Sequence, residues 1–237
     1  MCGRVQIKMT SREAAEAFGA DARCDAAVFE RWNAAPSQRL PLLQPAASGG
    51  LELAAADWGF SKPGGGGPRP INARSETAPR SGFFSAAWRR GRAALPVTGF
   101  FEWQAPQADA APPLFGGDAS AARKTPWLIE RADGRPFALA ALRNEAGFCV
   151  LTTAPNAAVA RIHDRMPVVL DRAALERWLD PRAEPDALRP LMRPCPAEDL
   201  RFTRVADAVN APANEGPAAA EPRAEPVAGA TFAAPAA

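Results

Sequence analysis

Hydrophobic and polar positions change period several times along this chain. Thr10 stands three residues before Glu13, a capping-box spacing, and Gly19 follows Phe18; together they predict a short helix. Apolar runs at residues 40–44 and 51–55 predict strands, and residues 95–103, rich in Val and Phe, predict a longer one. Residues 125–130, 137–142 and 147–153, with a turn at Asp133-Gly134, predict an antiparallel meander. Residues 156–162 and 171–179 read as helices, the second opened by Asp171 and stopped by Pro181. No regular alternation of strand and helix appears. The predicted fold is therefore α+β: an antiparallel, partly barrel-like β core flanked by helices.

Length and composition refine that picture. A chain of 237 residues makes one domain, or at most two. The hydrophobic share of 47% overstates the core, because 55 of those residues are alanine. Trp, Phe, Leu, Val and Ile nevertheless recur through residues 1–216, which are read as a single domain. Residues 217–237 are mostly Ala, Pro and Gly, with only Glu221, Arg223 and Glu225 charged, and are expected to be a disordered tail. Gly64 to Gly67 before Pro68, and residues 105–123, read as loops.

Charge and single residue types exclude several functions. With 28 basic and 26 acidic residues, a broad nucleic-acid wrapping surface is disfavoured, though a short basic groove is not. His163 is the sole histidine, so a metal site built from paired histidines is impossible; no metal and no cofactor are expected. Cys2, Cys24, Cys149 and Cys195 form no C-x-x-C pair, which favours reduced thiols in the cytoplasm. The N-terminus lacks a signal-peptide core, and no apolar run reaches membrane length.

The second position carries the first candidate chemistry. Removal of Met1, permitted by a small following residue, would leave Cys2 with a free α-amine and a thiol on adjacent carbons. Their reference pKa values of about 7.7–8.0 and 8.5 leave both nucleophilic near neutral pH. An aldehyde condenses with such an amine to an imine, and the thiol then closes a five-membered thiazolidine. The same group could instead serve as an N-terminal nucleophile in amide hydrolysis, given an oxyanion hole. A second-position Cys also occurs by chance.

Three further segments place polar groups in structured surroundings. In Ile71-Asn72-Ala73-Arg74-Ser75-Glu76-Thr77, Asn72 offers both donor and acceptor and Arg74 can grip a phosphate. On pattern alone, Asn72 also fits a loop bonding its own backbone, and Arg74 with Glu76 a surface ion pair. In Gly99-Phe100-Phe101-Glu102-Trp103, burial beside aromatic rings would raise the Glu102 carboxyl toward acid–base work, whereas alternation could equally put it in water. In Arg161-Ile162-His163-Asp164-Arg165-Met166-Pro167, cationic neighbours favour a neutral imidazole able to take a proton, against the ordinary structural role of a lone histidine.

These motifs occur in a fixed order with Met-Cys-Gly-Arg at the start, Trp32-Asn33-Ala34-Ala35-Pro36, Trp58-Gly59, Val209-Asn210 and Asn214-Glu215-Gly216. In that set the chain closely resembles the SRAP (SOS response-associated peptidase) family over residues 1–216. The resemblance implies recognition of abasic sites in single-stranded DNA and covalent thiazolidine capture by Cys2 as part of the DNA damage response. By matching position, Asn72 would orient the linked sugar and Glu102 would move protons. His163 would assist Schiff-base chemistry, strand cleavage of the lyase type, or reversal. Arg4 and Arg74 would contact phosphates, while Asn33, Pro36 and Trp103 would line the site. A monomer, cytoplasmic and nucleoid-associated during damage, is implied; so is a thiol peptidase activity directed at its own N-terminus. Two departures stand out: Gly64 to Gly67 replaces a loop that often carries Trp, and the 105–123 loop is long.

Overall fold

The computed structural model describes residues 2–61, 67–106 and 124–223. Strand β1 (Val5–Ile7) leads into α1 (Ser11–Phe18). The Thr10 hydroxyl accepts from the Glu13 N–H at 3.2 Å, and the Glu13 carboxylate accepts from the Thr10 N–H at 2.8 Å, so the helix starts where the capping box predicts. Gly19 stops it in the left-handed region, at φ 62°. Next come β2 (Ala20–Ala22), β3 (Arg31–Ala34), β4 (Arg39–Pro45), β5 (Leu51–Asp57) and β6 (Asn72–Arg74). Helix α2 (Ser85–Arg90), β7 (Arg92–Val97) and β8 (Gly99–Gln104) follow. The second half holds β9 (Thr125–Arg131), β10 (Phe137–Asn144), β11 (Gly147–Thr153), β12 (Met166–Pro167) and β13 (Val169–Leu170). It ends with α3 (Arg172–Leu179), capped by Asp171 through the Ala174 N–H at 2.7 Å, and β14 (Leu200–Arg204).

The strands form two sheets, and neither closes into a barrel. The smaller runs β14-β9-β8-β1-β3; the larger runs β12-β11-β10-β7-β4-β5-β2, with β13 on β10 and β6 on β11. Pairing is mostly antiparallel, but β6 with β11 and β2 with β5 are parallel. The α+β class holds, therefore, as an open two-sheet arrangement.

Three local expectations change. Residues 95–103 are two strands in different sheets, broken at Thr98. There the Thr98 N–H and hydroxyl both donate to the Gln6 carbonyl, at 2.8 and 3.1 Å, and turn the chain toward β1. A Cβ on Gly99 would meet a Leu128 methyl at 2.8 Å and the Ile129 carbonyl at 3.1 Å, so a side chain there would require β9 to give way. Likewise β9 and β10 are not hairpin partners: the Asp133-Gly134 turn passes from the small sheet to the large one. Residues 156–162 yield only a single 3-10 turn, Val159–Arg161, because the Asn156 side chain accepts from the Val159 N–H and donates to the Cys195 carbonyl.

The core draws side chains from both sheets. Trp58 stacks near Phe148 and Trp88 meets Trp178 edge-on, all four buried, and the Trp178 indole N–H donates to the Ala93 carbonyl of β7 at 2.8 Å. Each such aromatic removes roughly 150–250 Å² from water, about 4–6 kcal/mol as an upper bound, which compensates for the alanine excess. The described chain continues to residue 223. Pro217–Ala220 makes a 3-10 turn with Ala219 and Ala220 buried, and main-chain bonds Ala206 N–H to Glu221 and Arg223 N–H to Arg204 fasten it. Backbone pairing there replaces the missing large apolar groups; residues 224–237 lie outside the described residues. Among the described residues, no helix is long and apolar enough to cross a membrane.

Candidate active site

Cys2 lies just before β1, fully buried. Burial, then the nearby Glu102 carboxylate, push its thiol well above the ordinary thiol range, while the Arg4 backbone N–H pulls it back. Asn72 opens β6, whose register on β11 pairs it with Val150. The Trp58 indole N–H donates to the Ile71 carbonyl at 2.9 Å and fixes the approach to that strand. From there the Asn72 amide donates to the Cys2 carbonyl at 2.8 Å. Its Oδ1 is buried with no hydrogen-bond partner among the described residues.

Glu102 comes in from β8. Alternation turns Phe100 and Glu102 to the inner face, so the burial reading holds and the solvated one does not: Glu102 is 1% exposed. Desolvation raises its carboxyl to about 7, against the lowering pull of the positive N-terminus and the Trp103 N–H. His163 follows the 3-10 turn and presents Nε2 at 4.0 Å from Glu102 Oε2. Its Nδ1 accepts from the Arg165 N–H at 3.0 Å and also lies 2.9 Å from Asp164 Oδ1. The N–H serves the neutral ring and Asp164 the protonated one, so either state has a partner. Burial comes first and the N-terminal charge second among the causes that depress its pKa.

The four candidate catalytic residues thus converge. Arg165 joins the segments that carry them. Its guanidinium grips Glu76 through two 2.8 Å bonds and donates to the Thr152 carbonyl at 2.7 Å. Glu76 therefore pairs with Arg165 rather than Arg74, and the exposed Arg74 guanidinium makes no side-chain bond among the described residues. Neither the Arg165 clamp nor Gln104, which bonds the Arg161 carbonyl at 3.0 Å, was signalled by sequence; both depend on contacts made across the fold.

The expected DNA contacts divide. Arg4 and Asn33 are largely buried, 8% and 0% exposed, and bonded within the fold. Arg4 donates to Asn33 Oδ1 and the Val209 carbonyl, and its guanidinium stands 5.7 Å over the Trp103 ring. The Asn33 amide donates to the carbonyls of Val209, Ala211 and Asn214. Glu215 accepts from the Trp32 and Asn33 N–H groups and from Arg31. These polar residues strap the 209–215 segment onto β3. Pro36 and Trp103 remain half-buried at the surface, and the turn after Pro36 holds Ser37 at φ 70°, an uncommon value for a side-chain-bearing residue. Of the glycine loop, Gly64 to Gly66 lie outside the described residues, as do residues 107–123. Among the described residues no three His, Cys, Asp or Glu side chains gather as metal ligands. The Cys149 and Cys195 thiols are also raised by burial, Cys195 to about 12.

The profile of SOS response associated peptidase (SRAP) matches residues 1–212. The chain belongs to the SRAP family. Among its SRAP relatives, abasic site processing protein YedK of Escherichia coli is 34% identical over 191 residues, covering 76% of this chain and 79% of that one. Abasic site processing protein YoqW of Bacillus subtilis is 29% identical and covers 92% and 97%. The SRAP fold seen here is shared with a solved protein of Bacteroides thetaiotaomicron, TM-score 0.72 at 19% identity, covering 90% and 97%. A phage-related protein of Bordetella bronchiseptica gives TM-score 0.66 at 28% identity, covering 86% and 94%.

Proposed function

We propose that this chain recognises abasic sites in single-stranded DNA and captures them covalently through Cys2 once Met1 is removed. The observation that carries the reading is the convergence on one residue: Asn72 holds the Cys2 carbonyl while Glu102, with His163 at 4.0 Å, stands beside its thiol. The abasic site processing relatives supply the substrate class.

An abasic deoxyribose in its open form presents an aldehyde. The Cys2 amine adds to that carbon to give a carbinolamine. Protonated Glu102 donates to the hydroxyl, which leaves as water and yields the imine. Cys2 Sγ then bonds the imine carbon, the C=N π pair passes to nitrogen, and the thiol proton reaches that nitrogen through the Glu102 carboxylate or His163. The product is a thiazolidine with one water released. Burial, the main cause that raises the Glu102 carboxyl, does not depend on Met1, and a raised carboxyl suits acid and then base duty near neutral pH. The unpartnered Asn72 Oδ1 offers an acceptor for a sugar hydroxyl.

Ring closure consumes the imine from which strand cleavage by β-elimination would start, so rapid closure shields the lesion, and slow closure permits lyase activity with His163 as base. Arg74 supplies phosphate contact and Trp103 an aromatic surface for a neighbouring base. With no base at the lesion, sequence preference is expected to be weak. A thiol peptidase is the weaker reading, because capture of an aldehyde uses the Cys2 amine and thiol together, whereas amide hydrolysis needs a single nucleophile and an oxyanion hole. Incubation with abasic single-stranded DNA, followed by a denaturing gel, tests the proposal: a shifted band is expected with the processed chain and none with Cys2→Ala.

A further inference from the structure

We propose that Gln104 is a positioning residue that sets the distance between Glu102 and His163. Gln104 lies two residues beyond Glu102 on β8, so the two side chains share a strand face. Its amide N–H donates to the Arg161 carbonyl at 3.0 Å. Its Oε1 accepts from the Trp127 indole N–H at 3.2 Å. Trp127 is buried and stands directly opposite Glu102 in the β8–β9 register.

The Arg161 carbonyl closes the 3-10 turn that delivers the histidine, whose own N–H bonds back to Val159 at 2.8 Å. One hydrogen bond from the amide thus ties the His163 turn to the strand that carries Glu102, and a second, from a buried indole on β9, sets the amide's orientation. An aliphatic side chain of similar size fills the space and makes neither bond. The 4.0 Å gap between Nε2 and Oε2 then has nothing on β8 to define it from the Gln104 side.

The inference concerns the site proposed above, but its test reads the histidine directly and needs no DNA. Because His163 is the sole histidine, its ring proton gives one imidazole titration in the NMR spectrum. The charged groups that act on it are Glu102 from β8, Asp164 beside it, the N-terminal charge and Lys124. In the full chain its midpoint is expected below the reference of about 6.5. Gln104→Met, released from the Arg161 carbonyl, is expected to move the midpoint up as the ring gains water. Its rate of covalent capture at saturating abasic DNA is expected to fall roughly ten- to a hundredfold, with half-saturation unchanged. Gln104→Lys, which keeps a donor for the carbonyl, should recover most of that rate. A folded Gln104→Met that titrates as the parent does would overturn the proposal. Should Gln104→Met not fold, Trp127→Phe removes the orienting donor and is expected to shift the midpoint in the same direction by less; an unshifted midpoint there overturns it equally. A parent chain that captures no DNA refutes the functional reading while leaving the titration to decide this one.

Discussion

The Asn72 side-chain amide donates to the main-chain carbonyl of Cys2 at 2.8 Å, across 70 residues of sequence. The bond fixes the one residue whose amine and thiol are adjacent, and it uses only the donor half of the amide. The acceptor half remains buried and unpartnered among the described residues. A buried orphan acceptor is costly, which is understandable where a ligand hydroxyl completes it.

Asn72→Leu keeps the volume and removes both roles. Loss of one neutral hydrogen bond, about 0.5–1.5 kcal/mol, corresponds to a roughly three- to tenfold slower capture. Single-turnover kinetics on an abasic oligonucleotide measure it. The folded chain should lose little stability, because the orphaned Oδ1 goes as well.

Glu102 links pH to both activity and stability. Its folded pKa of about 7 lies above the reference of about 4.3, so the folded chain holds that proton more tightly than the unfolded one. Its contribution is therefore fully present below about pH 4 and is lost as pH rises to about 7. The full loss is on the order of 3–4 kcal/mol, at about 1.4 kcal/mol per unit. Glu102→Gln is expected to match the parent in thermal stability near pH 4 and to exceed it above pH 7. Capture by the parent should rise as the amine deprotonates and fall as Glu102 ionises; Glu102→Gln should be slow throughout and lack the alkaline fall.

Arg74 and Asn33 should behave in opposite ways. Arg74→Ala removes an exposed cation, so DNA affinity is expected to drop and the salt slope on a single strand to shrink by about 0.7, with Tm unchanged. Asn33→Ala leaves Arg4 and three carbonyls short of partners. It is expected to cost on the order of 2–4 kcal/mol in folding stability. Salt-dependent binding and thermal unfolding of both variants separate the two roles.

That contrast marks where sequence reading stops. Thr10 and Asp171 were legible as caps because their partners lie three residues away. Cys2, Asn72, Glu102 and His163 stood out as candidates because their residue types suit one chemistry and their motifs occur in order. The bonds of Arg4 and Asn33 to the 209–215 strap, some 180 residues later, could not be read from the sequence, where Arg and Asn look solvent-facing. The break at Thr98 was hidden for a related reason. Apolar residues continue on both sides of it, and only pairing with Gln6 diverts the chain into the second sheet.

Intact-mass analysis of the product formed with abasic single-stranded DNA tests the central claim most directly. The expected mass is the chain without Met1 plus the oligonucleotide less one water, stable without borohydride and absent for Cys2→Ala. A DNA adduct of undiminished yield in Cys2→Ala, or one that survives only after borohydride trapping, would contradict capture by thiazolidine closure at Cys2.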